Sequence, residues 1–282
     1  PLAAKHAVPV TFRAAGTSLS GQALTDSVLV KLSHVGTSFR RIQVHGDGSS
    51  VTAEPGAVGG EVNRALRRHA VRRGEEVAYK IGPDPSSIDS CMVGGIVANN
   101  SSGMCCGVAQ NSYHTLQNLR LVFADGTVLD TADGESRRRF LEQRRDLAEG
   151  IVELAREVRA NAPLSAKIRS KFAIKCTTGY SLNALLDSAP DDAVGMIRRL
   201  AVGSEGTLCF VSNATFATVP DWAHKASAFV LFPSLEQACL ATAALRASAR
   251  PDAVELFDRA SLRSCERDAR MAGLVPGMRE LP

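Results

Sequence analysis

The stretch GPDPSSIDSCMVGGIVANNSSGMCCG, residues 82–107, decides the fold, because it suits neither a regular helix nor a regular strand. Pro83 and Pro85 fix two φ angles and remove two backbone donors, and its glycines permit geometry closed to other residues. Residues 92–98 are largely apolar, which argues against a solvated linker. Buried irregular backbone must satisfy its N–H and C=O groups. The stretch is therefore either an ordered loop that satisfies them internally or a loop wrapped around a large polar ligand.

The composition is typical of a soluble globular protein, with 45% hydrophobic and 22% charged residues in 282, enough for one large domain or two. No run of about 18 apolar residues occurs, so we expect no transmembrane helix. The net charge is only +4. Arginines cluster at residues 64–73 and 137–145, but glutamates are interleaved or close by. We interpret these clusters as solvated helix faces, and we expect no nucleic-acid partner.

Cysteine and histidine spacing predicts no metal site. The seven cysteines include no Cys-x-x-Cys pair, and the six histidines are scattered. We expect the cysteines to be reduced thiols and the protein to be cytoplasmic. The protein would be either dissolved in the cytoplasm or bound peripherally to the inner face of a membrane. Because the chain begins at Pro1, we expect its N-terminal start to lie outside this sequence.

Alternating and helical patterns predict an α+β chain. Helices are predicted at residues 61–73, at 137–160 in one piece or two, and at 191–200 with Asp191 or Asp192 as the cap. Turns at Gly46-Asp-Gly48 and at Asp125-Gly126 predict two hairpins. The predicted strands are residues 7–12, 28–32, 39–44, 50–54, 116–123, 128–130 and 208–219.

The pattern changes after Pro220. Strands are predicted at residues 226–232 and 253–257, and helices at 235–249 and 259–267, which is half of a split βαβ sandwich. We therefore expect one domain over residues 1–220 and the beginning of a second, incomplete domain over 221–282.

Three loops are rich in small residues and glycines: residues 13–22, 83–103 and 203–208. Successive exposed N–H groups in such a loop make a concave anion site, and in the first loop Gly16 and Gly21 would let backbone approach a ligand. A tight strand-to-strand connection is the alternative interpretation of that loop. No P-loop and no Rossmann fingerprint occur, and the Gly203–Gly206 turn lacks the spacing of a nucleophile elbow.

Five motifs in order resemble the flavoproteins of the vanillyl-alcohol-oxidase type. They are TFRAAGTSLSGQ (11–22), GPDPSS (82–87), GGIVANN (94–100), TGYSL (178–182) and VGSEGTL (202–208). Within that group the chain is most similar to the D-2-hydroxy-acid dehydrogenases, above all to the long forms fused to an iron–sulphur domain.

The resemblance implies a fold and a cofactor. The fold is a PCMH-type FAD-binding domain of two α+β subdomains, followed by the first part of a ferredoxin-like α+β cap domain that holds the substrate. The first loop would hold the FAD pyrophosphate, the central stretch would pass along the ribityl chain and flavin, and residues 205–211 would close over the cofactor. The residues assigned to cofactor binding are Arg13, Ala14, Ala15, Gly16, Thr17, Ser18, Leu19, Gly21, Gln22, Pro83, Asp84, Ser86, Ser87, Gly94, Gly95, Ala98, Asn99, Asn100, Ser102, Gly103, Glu205, Gly206, Thr207 and Leu208.

The chain departs from the family pattern at two places. Ala14 and Ala15 stand where glycines are usual, and their methyl groups forbid glycine-only angles. Ser18 stands where relatives that bind flavin covalently carry histidine, so we predict non-covalent FAD. Lys175 and Tyr180 also lie in a family motif, and the resemblance implies either a position at the edge of the flavin or a structural role for them.

The implied function is FAD-dependent oxidation of a D-2-hydroxy acid, of the D-lactate, D-2-hydroxyglutarate or glycolate class, by hydride transfer to the flavin. An enzyme acting on a sugar-derived substrate and an inactive, flavin-free fragment are the alternatives. The electron acceptor would be a fused iron–sulphur domain outside this chain or an external carrier. The sequence indicates no catalytic residue and no resident metal.

Overall fold

A computed structural model describes residues 2–32, 38–249 and 251–271. The chain divides into two compact units, Pro1–Ala223 and His224–Pro282. The predicted boundary at residues 220 and 221 lies close to this division.

The first unit contains two sheets. The smaller sheet pairs β1 (Val10–Arg13) with β2 (Val28–Lys31) in parallel, and Val10 lies opposite Val28. The larger sheet has six strands, all paired antiparallel, in the order β3-β4-β8-β6-β7, with β5 paired to the far end of β8. Its strands are β3 (Ile42–His45), β4 (Ser50–Ala53), β5 (Ala78–Ile81), β6 (Leu116–Val122), β7 (Val128–Asp130) and β8 (Phe210–Asp221).

Helices pack against the larger sheet. The helices of the first unit are α1 (Leu2–Lys5), α2 (Gly59–Arg73), α3 (Val93–Asn99), α4 (Ser112–Thr115), α5 (Gly134–Gln143), α6 (Arg145–Ala160), α7 (Ala162–Phe172), α8 (Ala184–Asp187) and α9 (Ala193–Ala201). Alternate residues of the central strands, such as Val51 and Phe216, point to the core, where they meet Leu66, Ile96 and Phe140. The α+β class is confirmed.

Several local predictions are confirmed. Both hairpins form, β3 with β4 and β6 with β7, and Gly126 in the second turn has a φ of 90°. The Asp192 side chain accepts a hydrogen bond from the Gly195 N–H and caps α9. The long helical pattern forms two helices that meet at Arg144.

The central stretch contains a helix, α3, which its sequence did not predict. Val93, Ile96 and Val97 are fully buried on one face of α3. A Cβ on Gly94 would lie 2.8 Å from the Pro55 Cβ, so this glycine serves close packing and does not break the helix. Asn100 ends α3 in the left-handed region, with a φ of 51°. Tertiary burial outweighs the poor helix propensity of two adjacent glycines.

The second unit contains α10 (Leu235–Ser248) and α11 (Arg259–Arg267), as predicted, but neither predicted strand. Residues 226–232 and 253–257 have no strand pairing among the described residues. A strand is stabilised only when its N–H and C=O groups find partners, and alternation in the sequence cannot supply them. The expectation of a βαβα arrangement here is therefore wrong for the described residues.

Candidate cofactor-binding site

The three small-residue loops of the first unit line one cavity of about 460 Å³. Gly16, Gly95 and Gly206, one from each loop, all lie on its wall. Because these residues are far apart in sequence, their convergence is a product of the fold and not of local chain geometry.

The loop after β1 forms the first wall. Gly16 and Gly21 have φ values of 72° and 76°, which favour glycine. Ala14 and Ala15 are not among the positive-φ residues, so alanine is compatible with the backbone there. A Cβ on Gly16 would lie 2.4 Å from the Arg13 Nε, which places the Arg13 guanidinium against this loop.

The α3 helix forms the second wall, and Gly95 opens it. A Cβ on Gly95 would have only the Ala14 Cβ near it, at 3.8 Å. The other glycine of the pair, Gly94, packs against Pro55 and donates its N–H to the Pro55 carbonyl at 2.9 Å. Gly95 therefore leaves backbone accessible to a ligand, whereas Gly94 makes the helix fit its support.

The turn from Gly203 to Gly206 forms the third wall and docks on α3. The Gly203 N–H donates to the Val97 carbonyl at 3.0 Å, and the Glu205 N–H donates to the Ala98 carbonyl at 2.8 Å. Glu205 has a φ of 53°, unusual for a residue with a side chain. Two backbone hydrogen bonds thus hold a strained turn at the cavity edge.

One hydrogen-bond network joins all three walls. The Glu205 Oε1 accepts a hydrogen bond from Asn99 Nδ2 at 2.6 Å and a longer one from Gln22 Nε2 at 3.4 Å. The Ser18 hydroxyl donates to the Gln22 Oε1, and the Ser101 hydroxyl donates to the Asn99 Oδ1 at 3.1 Å. The carboxylate of Glu205 therefore fixes the positions of loops that are remote in sequence.

Among the described residues that line the cavity, two carry a charge, Glu205 and Lys175. The Lys175 Nζ donates to the carbonyl oxygens of Ser102 at 3.2 Å and Gly103 at 3.4 Å. Burial raises the pKa of the Cys91 thiol and raises that of Cys209 to about 12, so both lining thiols stay neutral at physiological pH.

Most of the predicted site residues lie together on this cavity. Those that line it are Ala14, Ala15, Gly16, Thr17, Ser18, Leu19, Gln22, Ser87, Gly94, Gly95, Ala98, Asn99, Ser102, Glu205 and Gly206. Those that do not are Arg13, Gly21, Pro83, Asp84, Ser86, Asn100, Gly103, Thr207 and Leu208.

Several residues of the second group shape the walls from behind. The Asp84 carboxylate accepts hydrogen bonds from the backbone N–H groups of Gly103, Cys105 and Cys106, at 3.1, 3.2 and 3.2 Å. The Thr207 hydroxyl donates to the Ser204 carbonyl at 2.7 Å. These contacts give Asp84 and Thr207 a structural task, and a direct contact of either with a cofactor stays a prediction.

Apolar lining residues next to the loops were not among the predicted site residues. Phe12 precedes the first loop, Phe210 follows the third turn, and their ring centroids lie 4.5 Å apart. Leu32 and Pro55 also line the cavity. Their positions next to the glycine loops in the sequence could have predicted that Phe12 and Phe210 line the cavity, since a large ring beside a ligand loop often supplies an apolar wall.

Within the described ranges, no group of three or more His, Cys, Asp or Glu could hold a metal ion. Among the same residues, no helix combines the length and apolar character that a bilayer crossing requires.

Two family profiles match the chain: one described as "FAD binding domain" over residues 1–132, and one described as "FAD linked oxidases, C-terminal domain" over residues 222–279. The chain is thus similar to FAD-binding domains and to FAD-linked oxidases over these two ranges. Both profiles indicate FAD as the cofactor.

The chain is similar to curated dehydrogenases at low identity. It is 25% identical over 264 residues to a D-2-hydroxyglutarate dehydrogenase of Pseudomonas putida, covering 93% of this chain and 25% of the relative. It is 23% identical over 267 residues to a D-lactate dehydrogenase of Archaeoglobus fulgidus, covering 93% of this chain and 45% of the relative. The chain thus spans less than half the length of both relatives.

A solved structure supports the fold. An alkyldihydroxyacetonephosphate synthase superposes with a TM-score of 0.53 at 16% identity, covering 94% of this chain and 37% of that protein.

The cavity fits FAD. Gly95 provides a surface that a Cβ would fill, and the buried Ser102 hydroxyl oxygen has no hydrogen-bond partner among the described residues. A buried hydroxyl without a partner is costly, and a polar ligand in the cavity would satisfy it. The walls combine backbone amides, hydroxyls and apolar rings, which suits a dinucleotide with a polar middle and an aromatic end.

Proposed function

We propose that this chain is part of an FAD-dependent oxidoreductase that oxidises a D-2-hydroxy acid, of the D-lactate, D-2-hydroxyglutarate or glycolate class. The observation that carries the proposal is the convergence of three glycine-containing loops on one cavity. The names of the relatives support the substrate class. Because the chain spans less than half of those relatives, activity and substrate belong to the whole protein.

In this proposal the first loop takes the pyrophosphate. Its backbone N–H groups form a nest for an anion, the Thr17 and Ser18 hydroxyls add donors, and Arg13 lies against the same loop. Gly95 admits the cofactor close to the backbone of α3. The hydrogen-bond network around Glu205 fixes the three walls relative to one another. The Phe12 and Phe210 rings exclude water from one side of the cavity.

FAD, when bound, supplies the hydride acceptor for the α-carbon of the substrate. The chain's own residues bind and orient the flavin ring of FAD, and they keep bulk water away from it. The substrate hydroxyl proton passes to a base that the described residues do not identify. Residues 221–282 are proposed as the beginning of the substrate-binding cap domain.

The attachment of FAD is proposed to be non-covalent, since Ser18 offers no imidazole nitrogen for a flavin bond. Acid precipitation of the yellow protein should release all of the flavin into the supernatant. Flavin absorbance that stays with the pellet would contradict this.

A substrate screen tests the function. The full-length protein, with an artificial electron acceptor, should reduce its flavin with D-lactate, D-2-hydroxyglutarate or glycolate, and L-lactate is the matched control. Oxidation of an alditol or aldonolactone, and of no hydroxy acid, would replace the proposal with a sugar-oxidising enzyme. A colourless protein that gains no thermal stability from added FAD would refute the flavoenzyme proposal altogether.

A further inference from the structure

A second cavity, of about 10 Å³, is lined by three segments of the first unit that lie within residues 100–114, 172–176 and 181–183. Three of its lining residues are asparagines, Asn100, Asn111 and Asn183, and each is more than nine-tenths buried. A buried amide side chain needs hydrogen-bond partners for both its oxygen and its nitrogen. The partners of these three amides therefore decide what the cavity can hold.

Two of the three amides have an unpartnered nitrogen. The Asn100 Oδ1 accepts a hydrogen bond from the Tyr113 N–H at 3.1 Å. The Asn111 Oδ1 accepts from the His114 N–H at 3.1 Å and from the His114 Nδ1 at 3.0 Å. These bonds fix the orientation of both amides, and neither amide nitrogen donates to a described residue. Asn100 and Asn111 therefore each keep an N–H donor for a molecule in the cavity.

The third amide has an unpartnered oxygen. The Asn183 Nδ2 donates to the Asp187 Oδ2 at 2.9 Å, and the Tyr113 hydroxyl donates to the same oxygen at 2.8 Å. The opposite end of the amide, the Asn183 Oδ1, is buried and has no hydrogen-bond partner among the described residues. A buried acceptor is costly to leave unpaired, so Asn183 requires a donor from the cavity.

We propose that one ordered water molecule occupies this cavity and joins the three asparagines, a position that we call the three-asparagine water site. Water can accept hydrogen bonds from the two amide nitrogens and donate one to the Asn183 Oδ1, and a buried water typically makes about three such bonds. The volume agrees, since one water needs about 10–15 Å³ of such space. The two donors would repel a cation and the Asn183 oxygen would repel an anion, so the chemistry favours a neutral molecule.

The water site joins the ends of three helices. Asn100 ends α3, Asn111 is the N-cap of α4, and Asn183 is the N-cap of α8. A water-mediated hydrogen bond is nearly as favourable as a direct one. Ser101 and Ser102, which follow Asn100, line the larger cavity, so the water helps to position the chain that forms its wall. This inference does not depend on the proposed function.

A high-resolution crystal structure of the protein tests the proposal directly. One electron-density peak should lie about 2.7–3.2 Å from the Asn183 Oδ1 and from the amide nitrogens of Asn100 and Asn111. A cavity without density would overturn the proposal. A direct hydrogen bond between two of the three amides, or an ion identified by its anomalous signal, would also overturn it.

A variant tests the site in solution, where water magnetic relaxation dispersion measures the number of long-lived internal water molecules. Asn183→Leu removes the acceptor and fills the cavity, so this number should fall by one. The control is Asn161→Leu, because Asn161 is the exposed N-cap of α7, where its Oδ1 accepts from the Leu164 N–H at 3.1 Å. The control should keep the wild-type number.

An unchanged number in a folded Asn183→Leu protein would refute the three-asparagine water site. Urea unfolding shows whether each variant folds, and the crystal structure of the unaltered protein decides the question if Asn183→Leu does not. Neither measurement uses FAD. The water site can therefore fail while the flavoenzyme proposal stands, and a protein that binds no FAD would leave the water site intact.

Discussion

Gly103→Ala tests how the central stretch is held in place. A Cβ on Gly103 would lie 1.8 Å from the Asp84 carbonyl oxygen and 2.5 Å from its carbonyl carbon, both of which are backbone atoms. Real Cβ atoms are essentially never closer than 3.0 Å to such a neighbour. The chain at residues 103–106 must therefore move away from Asp84.

That movement removes hydrogen bonds as well as space. Three backbone N–H groups, those of Gly103, Cys105 and Cys106, donate to the Asp84 carboxylate. Overpacking costs about 1–3 kcal/mol, and each hydrogen bond to a charged group contributes about 1.5–3 kcal/mol. With relief of the clash at the expense of one such bond, we expect a loss of about 3 kcal/mol in the free energy of unfolding.

The assay is urea unfolding of the apoprotein followed by circular dichroism, with two control variants. Gly150→Ala lies in α6 with no atom within 4 Å of the new Cβ, and it should gain about 0.5–1 kcal/mol. Gly107→Ala is equally uncrowded but has a φ of 50°, so it should lose about 1–2 kcal/mol. A Gly103→Ala protein as stable as Gly150→Ala would refute the packing of the central stretch on Asp84.

Two further predictions follow from the cavity and from charge. Gly95→Ala should fold with an unfolding midpoint near that of the wild type, since only the Ala14 Cβ lies within 4 Å of the new Cβ. Isothermal titration should show FAD affinity reduced by about tenfold, or about 1.4 kcal/mol; unchanged affinity would place FAD elsewhere. The Arg40 guanidinium donates to both carboxylate oxygens of Glu61, at 2.8 and 2.9 Å, and holds the Glu61 pKa below its ordinary 4.5. A lowered carboxyl pKa stabilises the fold above pH 4.5, and this contribution is lost as the pH falls through the folded-state pKa. Arg40→Met should therefore lower the free energy of unfolding by about 0.5–1 kcal/mol at pH 7 and by much less at pH 3. Urea unfolding at both pH values measures the difference. An equal loss at both pH values would mean that the substitution removes packing and not a charge interaction.

Elements fixed by local chemistry were predictable from the sequence. The turn glycines predicted both hairpins, and an aspartate before an apolar periodic run predicted the start of α9. The membership of most loop residues in one cavity was implied by the resemblance of the five motifs to a flavoprotein family, whereas the composition of the first loop alone left a simple strand-to-strand connection open.

Elements fixed by distant contacts were not predictable. The α3 helix depends on Pro55 packing against Gly94, and β5 depends on pairing with the end of β8. Asp84 could be recognised as part of a ligand loop, but the three amide groups that occupy its carboxylate come from residues about twenty positions later. No local pattern contains this information.

The place of β8 in the larger sheet constrains how the protein is made. This strand is the last of the sheet in sequence, yet it lies in the middle, between β4 and β6. On the ribosome, β3, β4, β6 and β7 emerge long before their central partner, so the sheet cannot close until residue 221 has left the exit tunnel. Until then, β4, β5 and β6 each expose an edge whose amide and carbonyl groups lack their partner in β8. The nascent protein is therefore most exposed to aggregation, and most dependent on chaperones, before β8 is inserted.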